Sequence, residues 1–252
     1  MLTGWLLRGW WRVALPVALM LTVLTAGAEI SVGRFATDSA AIGAPWQVIR
    51  LEKHVPATLY RAHRWDGVNA VEANADASMA LLGRPIDVDL AATPILCWRW
   101  RVDDVVGSAN MRKRSGDDYA ARIYLAFALP PAVLSFTARA ELALVRNLFG
   151  AQVPDAALNY VWDNVHPAGT RMPNAYTNRA QMIVQRSTNQ DARRWMSERV
   201  NVANDVVERF GTREAQLGLI AIATDSDNTG EKIRAGFADL HFVRADEACS
   251  FP

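Results

Sequence analysis

Ile95-Leu-Cys-Trp-Arg-Trp-Arg-Val102 alternates apolar with basic or small side chains at a period of two. Successive side chains of a strand point to opposite faces, so Leu96, Trp98, Trp100 and Val102 share one face while Cys97, Arg99 and Arg101 share the other. The stretch from Ala121 to Leu129 repeats the scheme, with Ile123, Leu125, Phe127 and Leu129 opposed to Arg122, Tyr124 and Ala126. Similar stretches occupy 46–51, 57–65, 68–74, 77–82, 159–163, 180–185, 195–202, 217–225 and 237–243. Strands that alternate this strictly need a second sheet over their apolar face. About ten of them at this spacing predict a mostly β fold, an antiparallel two-sheet β-sandwich of jelly-roll type. Trp46, Trp98, Trp100, Phe127, Trp162 and Phe242 are its large core candidates, although a tryptophan in such a fold can instead offer a stacking platform to a sugar.

Two helices interrupt the pattern. After Pro130 and Pro131, residues 133–149 place Leu134, Ala138, Leu142, Val145 and Phe149 at three-to-four spacing, with Gly150 as a stop. This predicts one inserted amphipathic helix packed on the sandwich. A short second helix is expected over 205–210, closed by Gly211. No internal repeat and no Gly/Ser- or Pro-rich linker divides the chain, so residues 29–252 read as a single domain.

The 252 residues are 51% hydrophobic and 21% charged, a composition that excludes a disordered or collagen-like chain. Formal charge is +1, and Met1–Ala28 contributes Arg8 and Arg12 without an acid, which leaves residues 29–252 at −1. A nucleic-acid partner would demand a basic excess that is absent. Arg8 and Arg12, an uncharged run from Val13 to Ala26 and Ala26-Gly27-Ala28 reproduce the three parts of a signal peptide. Cleavage after Ala28 is expected; an uncleaved anchor, lengthened by Trp10 and Trp11, is the alternative. Both readings place the domain in the periplasm or outside the cell. There, Cys97 and Cys249 either form one disulfide or remain two separate thiols.

Charged residues in mid-strand carry the functional reading. Arg99, Arg101, Arg122 and Tyr124 point away from the core, and Asp163, Arg179, Glu198 and Asp225 sit comparably on neighbouring strands. Either they line one concave groove that binds hydroxyls or carboxylates through forked donors, or they are cross-strand ion pairs of a solvated surface. Asp225-Ser-Asp227-Asn-Thr229-Gly230 sets oxygen ligands at alternate positions before a glycine, like the first half of a calcium loop. The second half is missing, and a hairpin turn between 217–225 and 237–243 accounts for the same residues. Asp103, Asp104, Asp117 and Asp118 flank the central strands; a pair of acids across a groove would suit glycosidic acid–base chemistry, and solvated loops explain them equally. His54, His63, His166 and His241 lack metal-ligand spacing, and there is no P-loop, G-x-S-x-G or G-x-G-x-x-G after a strand. No cofactor beyond calcium is expected.

The segments Trp98–Val102, Asp117–Leu125, Leu158–Asp163, Tyr176–Arg179 and Thr224–Gly230, taken in order, resemble a bacterial family known as domain of unknown function 3047. The resemblance spans most of the chain after Ala28 and implies an exported single-domain protein. It brings no catalytic residue. It does imply that Arg99, Arg101, Asp117, Asp118, Arg122, Asn159, Asp163, Asn178, Arg179, Glu198 and Asp225 belong to one recurring design. The expectation is an exported protein that binds a carbohydrate or other polar envelope ligand in an Arg/acid-lined groove, with Tyr124 or Trp195 stacking on it. A polysaccharide hydrolase or lyase using Asp118, Glu198 or Asp225 is the alternative, and a structural envelope protein is the third reading.

Overall fold

The computed structural model describes residues 29–149 and 153–252; the expected signal peptide lies outside them. The strands run β1 (Ile30–Gly33), β2 (Gln47–Ile49), β3 (Leu59–Trp65), β4 (Val68–Asp76), β5 (Leu81–Val88), β6 (Ile95–Val102) and β7 (Ala121–Ala128). After helix α1 (Phe136–Phe149) come β8 (Ala156–Asp163), β9 (Arg171–Pro173), β10 (Ala180–Ser187) and β11 (Met196–Asn201). Helix α2 (Val202–Phe210), β12 (Gln216–Ala223) and β13 (Lys232–Val243) complete the chain.

Two sheets face one another, as the alternation predicts. The first has the order β11-β6-β13-β4-β3, with β1 paired to the far half of β13; the second has the order β2-β5-β12-β7-β8-β10-β9. Pairing is antiparallel except between β8 and β10, which are parallel because β9 lies between them in sequence and beyond β10 in space. Leu96, Trp98, Trp100 and Val102 from β6 meet Ile123, Leu125 and Phe127 from β7 in one core. Aromatic contacts tie the layers together: Trp98 lies 5.6 Å from Tyr160 and Trp100 lies 5.7 Å from Trp162, between ring centres. Trp98, Trp100, Phe127, Trp162 and Phe242 are buried as expected, whereas Trp46 packs half-buried at the margin against Phe35.

Local signals account for the differences from the expected boundaries. Residues 77–80 turn before β5 begins, and Ala77 has a positive φ of 45°. The strand expected over 195–202 stops at Asn201, whose side chain accepts from Asn204 N and starts α2 three residues earlier than expected. Gly211 ends α2 in the left-handed conformation. In α1, Leu142 is buried and Leu134, Ala138 and Val145 are half-buried, so the expected stripe faces the protein while Phe136 and Leu144 face outward. The segment after β12 is no hairpin, because β12 belongs to the second sheet and β13 to the first; residues 224–231 cross between them.

Cys97 and Cys249 form a disulfide, which joins β6 to the tail beside Ile95, Val243 and Phe251.

Candidate functional site

The central basic residues leave the core on both sides of the sandwich. Arg99 and Arg101 emerge from the first sheet, Arg122 and Tyr124 from the second, so the single groove expected for them does not exist. Alternation says that a side chain points outward; it does not say which sheet its strand joins. On the first sheet the charges are closed into pairs. Arg99 bonds Asp239 and the Pro252 carbonyl, and Arg101 bonds Asp66 and Asp103 while stacking 4.1 Å from the Trp65 ring centre. Glu72 is buried and accepts from Arg61, Asn74 and Arg234. Trp195, expected with Tyr124 as a stacking face for the ligand, donates to the Trp65 carbonyl on this sheet and lines no pocket with Tyr124.

Burial opposes ionisation of Glu72, but these three donors prevail and hold its carboxyl at about 2, below the 4.5 of a free glutamate. A depressed native pKa contributes stability above about 4.5 that is lost as pH falls towards 2. Arg61 and Arg234 are part-exposed, which limits the contribution to about 2 kcal/mol. Glu72→Gln is therefore expected to be less stable at pH 7 by that amount, and urea titrations should show the gap to the unsubstituted protein closing near pH 2. A gap unchanged between pH 7 and pH 2 would rule the assignment out.

The second sheet is different. Arg122 and Tyr124 on β7 and Asn159 on β8 form the floor of a cavity of about 250 Å³. Loops supply its walls: Leu51 and Glu52 follow β2, Asn174 and Tyr176 follow β9, Asp117 precedes β7, and Asp225, Asp227 and Asn228 belong to the crossover after β12. Arg122 pairs with Asp225, and its guanidinium lies 4.7 Å from the Tyr119 ring centre. Asp117 accepts from the Tyr119 hydroxyl at 3.2 Å and from Asn174 Nδ2 at 2.9 Å. Asp118, 1% exposed, accepts the backbone N–H groups of Asn228 and Thr229, so residues before β7 anchor the crossover loop.

Four lining residues are acids, Glu52, Asp117, Asp225 and Asp227, against one cation, Arg122. The cavity is therefore acid-rich, not Arg-lined. Burial and the neighbouring acids Asp118, Asp117 and Asp227 push the Asp225 carboxyl up, with Arg122 opposing them. Burial and Asp118 likewise raise Asp227. Three buried polar atoms of lining residues have no hydrogen-bond partner among the described residues: Arg122 Nε, Asn159 Oδ1 and Asp225 Oδ1. An unmet buried polar atom costs about 1–3 kcal/mol, so three on residues that line one void call for a polar partner that the described residues do not supply.

The other residues expected at the site serve the scaffold. Glu198 faces inward at the sandwich edge, where it accepts from Trp100 Nε1 at 3.0 Å and from Arg186 Nε at 2.6 Å, and so links the two sheets. Asp163 closes its own loop by accepting from the backbone of Val165 and His166 and contacting the His166 ring. Arg179 reaches the Pro154 carbonyl, and only its neighbour Ala180 lines the cavity. Asp103 pairs with Arg101 and Arg234, and Asp104 contacts Arg193, both away from Asp117 and Asp118. Among the candidate catalytic acids, Asp118 and Asp225 come together and Glu198 stands apart. Thr229 donates its backbone N–H to Asp118, and its Oγ1 is buried with no partner among the described residues. Glu52 and Asn174 were not anticipated; neither sits in a strand pattern or a spaced motif.

A larger cavity of about 640 Å³ lies at the end of the first sheet. Its charges are satisfied by one another, Lys232 with Asp76 and Arg234 with Asp103, and none of its lining residues has an unmet buried polar atom among those described.

The family described as protein of unknown function (DUF3047) matches residues 44–241. No curated protein matches the chain. Among solved structures, the family 30 carbohydrate-binding module of a cellulosomal cellulase of Clostridium thermocellum is 7% identical, with a TM-score of 0.36 over 88% of this chain and 94% of its own. The native family 12 xyloglucanase from Bacillus licheniformis is 9% identical, with a TM-score of 0.44 over 86% of this chain and 100% of its own.

Proposed function

The chain belongs to the DUF3047 family, and we propose that it is an exported binding protein for a hydroxyl-rich ligand, a carbohydrate, held in the cavity on the second sheet. One observation carries this reading: Arg122 Nε, Asn159 Oδ1 and Asp225 Oδ1 lack partners and belong to residues that line the same void. One donor and two acceptors on the lining residues, turned toward the void as a ligand enters, suit hydroxyls, each of which both donates and accepts. Tyr124 and Tyr176 add aromatic faces for the apolar side of a sugar ring. Four acids against one paired arginine favour a neutral ligand over a uronic acid. The volume is below the roughly 300–1,000 Å³ of pockets for drug-sized molecules, which suits a single ring or chain end. The signal-like Met1–Ala28 and the Cys97–Cys249 disulfide support export.

The test separates binding from stability. Asn159→Leu keeps the side-chain size and removes a buried acceptor that has no described partner, so folding stability is expected to stay level or rise by about 1 kcal/mol. Affinity for a bound glycan should fall at least tenfold. Calorimetry with neutral glycans selected on an array would read the affinity, and urea unfolding the stability. Unchanged affinity in Asn159→Leu would remove the cavity from the account. Release of new reducing ends or unsaturated products would replace the binding reading with the hydrolase or lyase.

A further inference from the structure

We infer that Asp118, Asp225 and Asp227 form a divalent cation site, of the calcium type, at the inner wall of this cavity. One carboxylate oxygen from each lies within 4.8 Å of the other two, so a single ion fits within about 2.8 Å of all three, and a small inward shift brings it to calcium–oxygen distance. Clustered acids are common on protein surfaces, where water screens them. These are not screened, since Asp118 and Asp225 are each 1% exposed. Asp225 supplies a further sign of a missing partner. Its Oδ2 is engaged by Arg122, while its Oδ1 is buried with no donor among the described residues. The hydroxyl of the next residue, Ser226, is fully buried and equally unpartnered, and Thr229 Oγ1 in the same loop is in the same condition.

Charge counting points the same way. Asp117, Asp118, Asp225 and Asp227 lie close to Arg122, whose single positive charge cannot balance four carboxylates, three of them buried. Protons or a cation must supply the difference. Oxygen-only ligands from a loop and a strand entrance suit a hard ion of adaptable coordination. The loop is held in place for this, because Asp118 Oδ1 and Oδ2 accept from Asn228 Nδ2 at 3.1 Å and Thr229 N at 2.7 Å and still present an oxygen to the cluster. The site needs no glycan, so it stands or falls apart from the function proposed above.

Chelator-treated full-chain protein should be titrated with calcium chloride alone by calorimetry and followed by thermal unfolding. Saturating calcium, about 100-fold above Kd, is expected to raise Tm by about 5–10 °C, and Asp227→Asn to weaken binding at least tenfold. Asp227 is half-buried and takes no part in the bonds by which Asp118 holds Asn228 and Thr229, so this variant is expected to fold; Asp227→Ser serves as a second variant, with circular dichroism as the check on folding. No heat and no Tm change with calcium, magnesium or manganese would overturn the inference. So would calcium binding of equal strength in a folded Asp227→Asn variant, since the ion would then sit elsewhere.

Discussion

Arg122→Ala should destabilise the protein by about 3–5 kcal/mol at pH 7, which is the cost of leaving a buried carboxylate without its counter-charge. Arg122 is 7% exposed and Asp225 1%. Removing the guanidinium takes the hydrogen bond from Asp225 Oδ2, strips the cation from the Tyr119 ring and leaves three further acids facing one another. Lysine is a poor replacement, because it is a point charge that can neither fork nor stack as the guanidinium does. Removing both partners is different: Arg122→Met with Asp225→Leu discards the charge and its counter-charge together, and its stability should lie within about 1 kcal/mol of the original protein or above it. Both variants should lose glycan binding, only the double variant, which lacks the Asp225 carboxylate, should lose calcium binding, and only the single one should unfold early in urea. A single variant that costs less than about 1 kcal/mol would mean that the pair is not formed in solution.

Cys249→Ser is the other change of comparable size. The disulfide closes a loop over a sequence separation of 152, for which the chain-entropy estimate is about 5 kcal/mol, towards the upper end of measured values. Tail contacts add to the effect, because Ser250 N donates to His241 Nε2, the Pro252 carbonyl accepts from Arg99, and Phe251 packs 5.6 Å from the His241 ring centre. In urea titrations the variant and the reduced original should coincide, both far less stable than the oxidised protein. Reductant should leave the variant unchanged. A reduced protein as stable as the oxidised one would show that the bond carries no folding energy.

These two pairs mark where the chain could be read directly and where it could not. Alternation alone puts Arg122 and Cys97 on the outward face of their strands, since that follows from the local pleat. Their partners lie 103 and 152 residues away, and no local rule reaches that far. The same limit explains the largest correction. Arg99 and Arg122 occupy equivalent places in two similar strands, yet β6 pairs with β11 and β13 while β7 pairs with β12 and β8. Hydrogen-bond pairing between distant segments, not side-chain alternation, put them on opposite faces of the sandwich. Asn159 was legible as the start of a strand and as part of the family's recurring design, but that its Oδ1 would be buried and unpartnered depends on loops from four other places in the chain.

Period and composition alone therefore determined the two-layer β architecture, the buried faces of β6, β7 and β8 and the amphipathic stripe of α1, because each is a property of neighbouring residues and the geometry of one element. Tertiary structure alone decided that Arg122, Asn159, Asp225 and Asp227 line one cavity, with Asp118 clustered behind Asp225 and Asp227, while Arg99, Arg101 and Glu198 stand elsewhere. Sheet order and the crossover at 224–231 bring those five together. Both are set by which strands find each other during collapse, and that is a property of the whole chain.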